Sequence, residues 1–223
     1  ETDRMPVLID GHRYSKPERQ IPMLTLYHAP VSRSSRLVQL VHELGVTDRV
    51  DIRIVSVDEN APASARSPHP EGKVPFLVHD GVEIRESNAI ILYLCDLFPE
   101  AGLGPQVGDR DRGRFLSWLA WYGNVVEPVI VTGAAGLSHP LLDLTFRGMP
   151  DISARLAEAL ADAPYLMGER YTAADLLLVS PFAWFADALP DDPNVRDWFA
   201  RCMDRPALKQ VAETDARHKA KAA

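Results

Sequence analysis

Cysteine is scarce in this chain: two among 223 residues, Cys95 and Cys202. Both stand in apolar, helix-like runs, so two buried free thiols are expected rather than a disulfide, as in a reducing compartment. Positive charge is also short. Lys and Arg number 24 against 31 Asp and Glu, for a net charge of −7. That excludes a broad nucleic-acid or anionic-membrane surface. The basic cluster Arg217-His218-Lys219-Ala220-Lys221 closes the chain and reads as a frayed tail. No apolar run is long enough to span a bilayer and no secretory leader is read, so a cytoplasmic location is expected. The longest such run, Leu176 to Leu189, is interrupted by Ser180, Pro181 and Asp187 and reads as a core helix. The histidines, at 12, 28, 42, 69, 79, 139 and 218, form no i, i+4 pair and no pair with cysteine. No metal site is expected. A glycine-rich phosphate loop and internal repeats are absent too.

What is present is an ordinary apolar fraction of 46%, on a chain long enough to bury a core without staples. Residues Glu1 to Pro22 are polar, carry three prolines and hold no period; they read as an extension. The pattern sharpens at Met23. Met23-Leu24-Thr25-Leu26-Tyr27-His28-Ala29-Pro30-Val31-Ser32-Arg33-Ser34-Ser35-Arg36 reads as a short buried strand, a Pro-bearing turn and the polar start of a helix. Backbone N–H groups at a helix start are unpaired and lie at the positive end of its dipole, so an anion is welcome there.

Leu37, Val38, Leu40, Val41 and Leu44 then fall at helical spacing, and Gly45 stops that helix. Val50, Ile52, Ile54 and Val57 alternate as a second strand. A strand–helix–strand unit of this kind pairs its strands in parallel. After a Pro-, Ala- and Ser-rich loop, residues 74–79 form a strand, Asp80-Gly81 a two-residue hairpin turn and residues 82–85 the return strand. Glu86-Ser87 opens a helix with Ile90, Ile91, Leu94 and Cys95 on its apolar face. Prolines and glycines across residues 98–105 mark a linker. Everything beyond is helical: a helix through Phe115 and Tyr122 bent near Pro128, a weakly amphipathic stretch from Leu141 to Leu160 broken at Gly148-Met149-Pro150, and a helix from Asp191 to Met203.

Three short constellations stand out. Thr172-Ala173-Ala174-Asp175 is a capping box, which starts the helix expected from Asp175 to Leu189. Val74-Pro75 is either an ordinary trans proline at a strand start or a cis peptide that bares the backbone of Val74. Ser87 is either a plain N-cap or, with Glu86, a place for the ammonium and carboxylate of an α-amino acid.

Taken in order, Tyr27 to Arg36, Gly72-Lys73-Val74-Pro75-Phe76-Leu77, Glu86-Ser87-Asn88-Ala89-Ile90, Tyr171 to Asp175, and Trp198-Phe199 to Arg205-Pro206-Ala207 resemble the cytosolic glutathione transferase family over about residues 23 to 215. The resemblance is to the bacterial type with a serine active-site motif. It implies an α/β thioredoxin-like N-terminal domain (βαβ-ββα) over 23–98, a linker over 99–110 and an all-α C-terminal domain over 111–223, after the extension 1–22. It implies a transferase that joins the thiolate of glutathione, its co-substrate, to a small hydrophobic electrophile, and a homodimer. Other glutathione-dependent reactions (peroxidase, isomerase, dehalogenase) and a non-enzymatic interaction role are the alternatives within the family.

Carried over by position, Pro75 is the cis proline and Val74 pairs its backbone with the cysteinyl unit. Glu86 and Ser87 hold the γ-glutamyl end, Lys73 the glycyl carboxylate, and Arg33 adds positive field. Ser32, four residues before Arg36, is the expected thiol-activating hydroxyl. Ser34, Ser35 and Tyr27 are its alternatives. The second-substrate pocket is expected to draw on His28, Val31, Trp118, Tyr122 and Asn124. Family members with a cysteine in this turn exchange disulfides with glutathione; none lies here.

Overall fold

The computed structural model describes residues 24–222, and the extension 1–22 and Met23 lie outside them. A four-stranded sheet, ordered β2-β1-β3-β4, forms the first half. Strand β1 (Leu24–His28) runs parallel to β2 (Val50–Ile54) and antiparallel to β3 (Phe76–His79), which pairs antiparallel with β4 (Val82–Ile84). The parallel pair needs a crossover, and α1 (Ser35–Glu43) supplies it. Helix α2 (Ser87–Leu97) follows β4. This is the thioredoxin-like half that the βαβ-ββα order implies. Val57, expected in the second strand, lies beyond its end and is half exposed.

The register decides what meets at one end of the sheet. Tyr27 stands opposite Phe76, and Leu77 opposite Ile84. Continued by a residue or two, the same pairing carries Val74-Pro75 and Glu86 to the end where β1 runs into its turn. The Val74-Pro75 bond is cis. Glu86 holds φ +69° and ψ 129°, a sparsely populated positive-φ conformation that costs a non-glycine residue about 1–3 kcal/mol and collects at functional positions.

The second half is helical: α3 (Arg112–Trp121), α4 (Glu127–Ala134), α5 (Pro140–Phe146), α6 (Gly148–Leu160), α7 (Ala173–Val179), α8 (Pro193–Met203) and α9 (Pro206–Ala222). One buried core runs from Leu26 and Leu37 through Leu94 and Phe115 to Leu177 and Trp198. The connecting segment is packed tightly: a Cβ on Gly104 would stand 3.1 Å from both Cys95 and Phe115. Both cysteines are free and buried. Burial pushes the Cys95 thiol up to about 12 and raises Cys202 as well, so both stay protonated and inert.

Proline places two breaks. Between α3 and α4 the chain widens into a π-turn over Tyr122–Val126. Pro128 has no N–H for the carbonyl of Asn124, and its ring crowds that carbonyl, so the turn before it opens. The bend expected near Pro128 is this turn. The helix expected from Asp175 to Leu189 stops instead at Val179, followed by short 3₁₀ turns over Ser180–Ala183 and Ala186–Ala188. Pro181 cannot donate to the Leu177 carbonyl, and the Ser180 hydroxyl does so at 2.7 Å.

The basic end is not a frayed tail. Helix α9 continues through it to Ala222 and docks on α1. Arg205, just before α9, grips Glu43 at the end of α1 with two bonds of 2.6 Å and lies 3.8 Å over the Tyr171 ring. A bidentate pair with a stacked guanidinium fixes orientation as well as distance. Asp215, nearly three turns further along α9, is therefore carried against the β1–α1 turn.

Candidate active site

The turn from Ala29 to Ser35 is built by its own polar groups. Val31 holds φ +57°, strained for a β-branched residue. Its N–H donates to Asp215 at 2.8 Å, which helps to hold it there. The same carboxylate accepts from the Ser35 hydroxyl at 2.6 Å and from His28 Nε2 at 2.8 Å. Burial would raise the Asp215 carboxyl; the bonds from His28, Ser35 and Val31 outweigh it and hold it below the usual value. Ser32 Oγ lies 2.7 Å from Ser34 Oγ, 2.7 Å from the Ala29 carbonyl and 3.1 Å from the Ser34 N–H. Ser34 Oγ in turn lies 2.7 Å from His28 Nδ1. A row of hydrogen bonds thus runs from half-exposed Ser32 through fully buried Ser34 and His28 to Asp215.

Ser32 opens onto a cavity of about 250 Å³. Its polar wall is Ser32, Arg33, Arg36, Tyr122 and Glu127; its apolar wall is Val31, Ile130, Val131, Pro181, Trp184 and Phe185. The π-turn matters here. Tyr122 and Glu127 are five residues apart, a spacing that a π-turn brings onto one side of the helix and an α-turn does not. The Tyr122 hydroxyl donates to Glu127 and accepts from Arg36 Nη1 at 2.5 Å, while Arg33 pairs with Glu127. Burial pushes the Tyr122 phenol up to about 12 despite Arg36, so it stays neutral. Burial would raise Glu127 as well, but the bonds from Tyr122 and Arg33 and the Arg36 charge win, and its carboxyl lies below the ordinary value.

The sequence-derived candidates divide. Ser32, Arg33, Val31 and Tyr122 line this one cavity. Exposed Lys73 and Glu86, half-buried Val74 and Ser87, and buried Pro75 are gathered at the same end of the sheet but are not in its lining. Tyr27 turns to the other face of β1, its ring 5.7 Å from Phe76. His28 was expected in the pocket wall; it is 2% exposed and lies behind the serines. Trp118 is buried under Arg155, and Asn124 is exposed; neither lines the cavity. Sequence reasoning missed Asp215, Glu127 and the wall formed by Pro181, Trp184 and Phe185. Pro181 was the available signal for that wall, since it ends α7 and turns the two aromatics outward.

The glutathione S-transferase N-terminal domain family matches residues 26–102, and its C-terminal domain family matches residues 140–206. Glutathione S-transferase GstA of Escherichia coli O157:H7 is 31% identical over 158 residues, 66% of this chain and 76% of that protein. The chain belongs to the glutathione S-transferase family. Glutathione S-transferase 3 of Schizosaccharomyces pombe is 28% identical over 212 residues, 86% of this chain and 87% of that protein. A glutathione transferase structure from Methylococcus capsulatus superposes with a TM-score of 0.71 at 27% identity, covering 87% of this chain and 99% of that one. The family binds glutathione and spans transferases, oxidoreductases and dehalogenases.

Proposed function

We propose that the protein is a glutathione transferase that joins the thiolate of glutathione to small hydrophobic electrophiles. One observation carries this reading: a single cavity sets the Ser32 hydroxyl and two arginines on one wall against an apolar wall of Ile130, Val131, Pro181, Trp184 and Phe185. That is the division of labour the reaction asks for, since an anion is stabilised on one side and an apolar acceptor is aligned on the other. A free thiol has a pKa of about 8.5, so little of it is thiolate at neutral pH. A hydroxyl bond to the anion and a helix start lower that by about one to two units.

On this reading the Ser32 hydroxyl donates to the sulfur, and Arg33 and Arg36 add positive field. Val74 pairs with the cysteinyl backbone, Glu86 and Ser87 hold the γ-glutamyl end, and Lys73 meets the glycyl carboxylate. Val31 and Tyr122 border the electrophile. The absence of cysteine from residues 23–36 favours conjugation over disulfide exchange. We place the protein in the cytoplasm as a homodimer, which light scattering tests.

Ser32→Ala is expected to raise the pKa of bound glutathione, read from ultraviolet thiolate absorbance against pH, by about one unit, with affinity nearly unchanged. An unchanged thiolate pKa moves the role to Ser34 or to backbone N–H groups. No retention of the wild type on immobilised glutathione overturns the reading in favour of an interaction module.

A further inference from the structure

We propose that the proton leaving glutathione's thiol comes to rest on His28, paired with Asp215, after passing through Ser32 and Ser34. The inference rests on the transferase reading above. A serine hydroxyl gives one hydrogen bond and accepts two. Asp215 Oδ1 faces His28 Nε2 at 2.8 Å, so that nitrogen carries a proton. With no second proton, Nδ1 is an acceptor and takes the Ser34 hydroxyl at 2.7 Å.

Ser34 Oγ then has two places to fill. The Ala29 N–H takes one at 3.1 Å, and the Ser32 hydroxyl takes the other at 2.7 Å. Ser32 Oγ accepts the Ser34 N–H at 3.1 Å; with its proton turned to Ser34 rather than to the Ala29 carbonyl, its second lone pair is left to accept a thiol S–H brought into the cavity it lines. The two hydroxyls and the imidazole are satisfied in this arrangement, in competition with the Ala29 carbonyl for the same two protons. The Ala29 carbonyl, 2.7 Å from Ser32 Oγ and 3.2 Å from Ser34 Oγ, is a second acceptor beside both hydroxyls.

A second arrangement satisfies the same two hydroxyls and the imidazole. The S–H bond breaks and its proton bonds to Ser32 Oγ. The former Ser32 proton passes to Ser34 Oγ, and the former Ser34 proton passes to His28 Nδ1. The electron pair of the S–H bond stays on sulfur as the thiolate. His28 becomes an imidazolium against the Asp215 carboxylate. The Ser32 hydroxyl now points at the sulfur, which is the direction that stabilises the anion. No proton enters from or leaves to solvent.

The burial favours this route. His28 is 2% exposed and Ser34 0%, whereas Ser32 lines the cavity, so among the described residues the hydrogen-bonded path from the cavity to His28 runs through the two serines. Among the described residues, the groups bonded to the imidazole are Asp215 from α9 and Ser34 from the start of α1. Arg36, the nearby cation on α1, is turned to Tyr122. His28 and Asp215 never touch substrate; they are positioning residues acting through Ser32.

The test follows thiolate absorbance and proton release together, with a pH-indicator dye, as glutathione is mixed with the full chain in weak buffer. The wild type is expected to form thiolate without releasing a matching proton. Ser34→Ala and His28→Gln are expected to release a proton for each thiolate they still form, and to lower kcat/KM roughly ten- to a hundredfold. Should His28→Gln not fold, Ser34→Ala removes one hydroxyl and gives the same readout. Glutathione binding with matched proton release in the wild type overturns the relay alone. Failure to bind glutathione overturns the transferase reading itself.

Discussion

Two buried aspartates hold this molecule together in different ways. Asp175 is fully buried at the start of α7 and Asp215 is 4% exposed on α9. Asp175 accepts from the Thr172 N–H and hydroxyl, the Leu166 N–H and Trp198 Nε1. Two of these donors belong to Thr172, three residues away. Asp215 takes its donors from residues up to 187 positions away. The first fixes a helix start within the core; the second fixes the turn that presents Ser32. Their titrations differ in direction. Burial raises Asp175, with hydrogen bonds pulling against it, while the bonds to Asp215 outweigh its burial and lower it. A local cap stabilises the core whatever the site does. A carboxylate reached across the chain makes the site depend on how the last helix docks.

The strongest way to break the comparison is Asp175→Ala. It leaves the Trp198 indole N–H and two backbone N–H groups buried without partners, and a loss of about 3–5 kcal/mol in denaturant unfolding is expected. Whatever remains folded is expected to keep the thiolate pKa of bound glutathione.

Asp215→Asn removes a charge that three donors share, and a loss of about 1–3 kcal/mol is expected. The pH dependence sharpens the contrast. The folded Asp215 carboxyl lies below its reference of 3.8. Its contribution is therefore full above that value and is lost as pH falls through the lower folded one. The gap between wild type and Asp215→Asn in thermal unfolding is expected to hold above about pH 4 and to close only below it. Asp175, shifted upward, has the opposite sign: its linked contribution is full in acid and is lost as pH rises through its folded value.

Thr172→Ala is the smallest change. It removes the cap hydroxyl and keeps Asp175 and its other donors, so about 1 kcal/mol is expected from chemical denaturation, with no effect on glutathione chemistry.

Legibility in the sequence followed distance along the chain. The strand into Tyr27-His28, the Asp80-Gly81 hairpin and the Thr172–Asp175 box depend on neighbours a few residues apart and were readable. Ser32, Arg33 and Tyr122 were named from the sequence and lie together in one cavity. His28 was misread as a wall residue, because nothing near it in sequence announces Asp215. The helix through Leu189 was misread because the apolar run outweighed Pro181, whose missing N–H decided the matter.

The sequence by itself determined the order of elements, the capped start of α7 and the serine-rich turn. Those follow from periodicity, turn residues and caps, whose energies are settled within about one turn of helix or one hairpin. Only the tertiary structure decided that Asp215 backs His28, that a π-turn brings Tyr122 to Glu127, and that Trp184 and Phe185 face Ser32. Each of these needs two segments to meet after the core has closed, and a hydrogen bond contributes little until its partners are within about 3.5 Å.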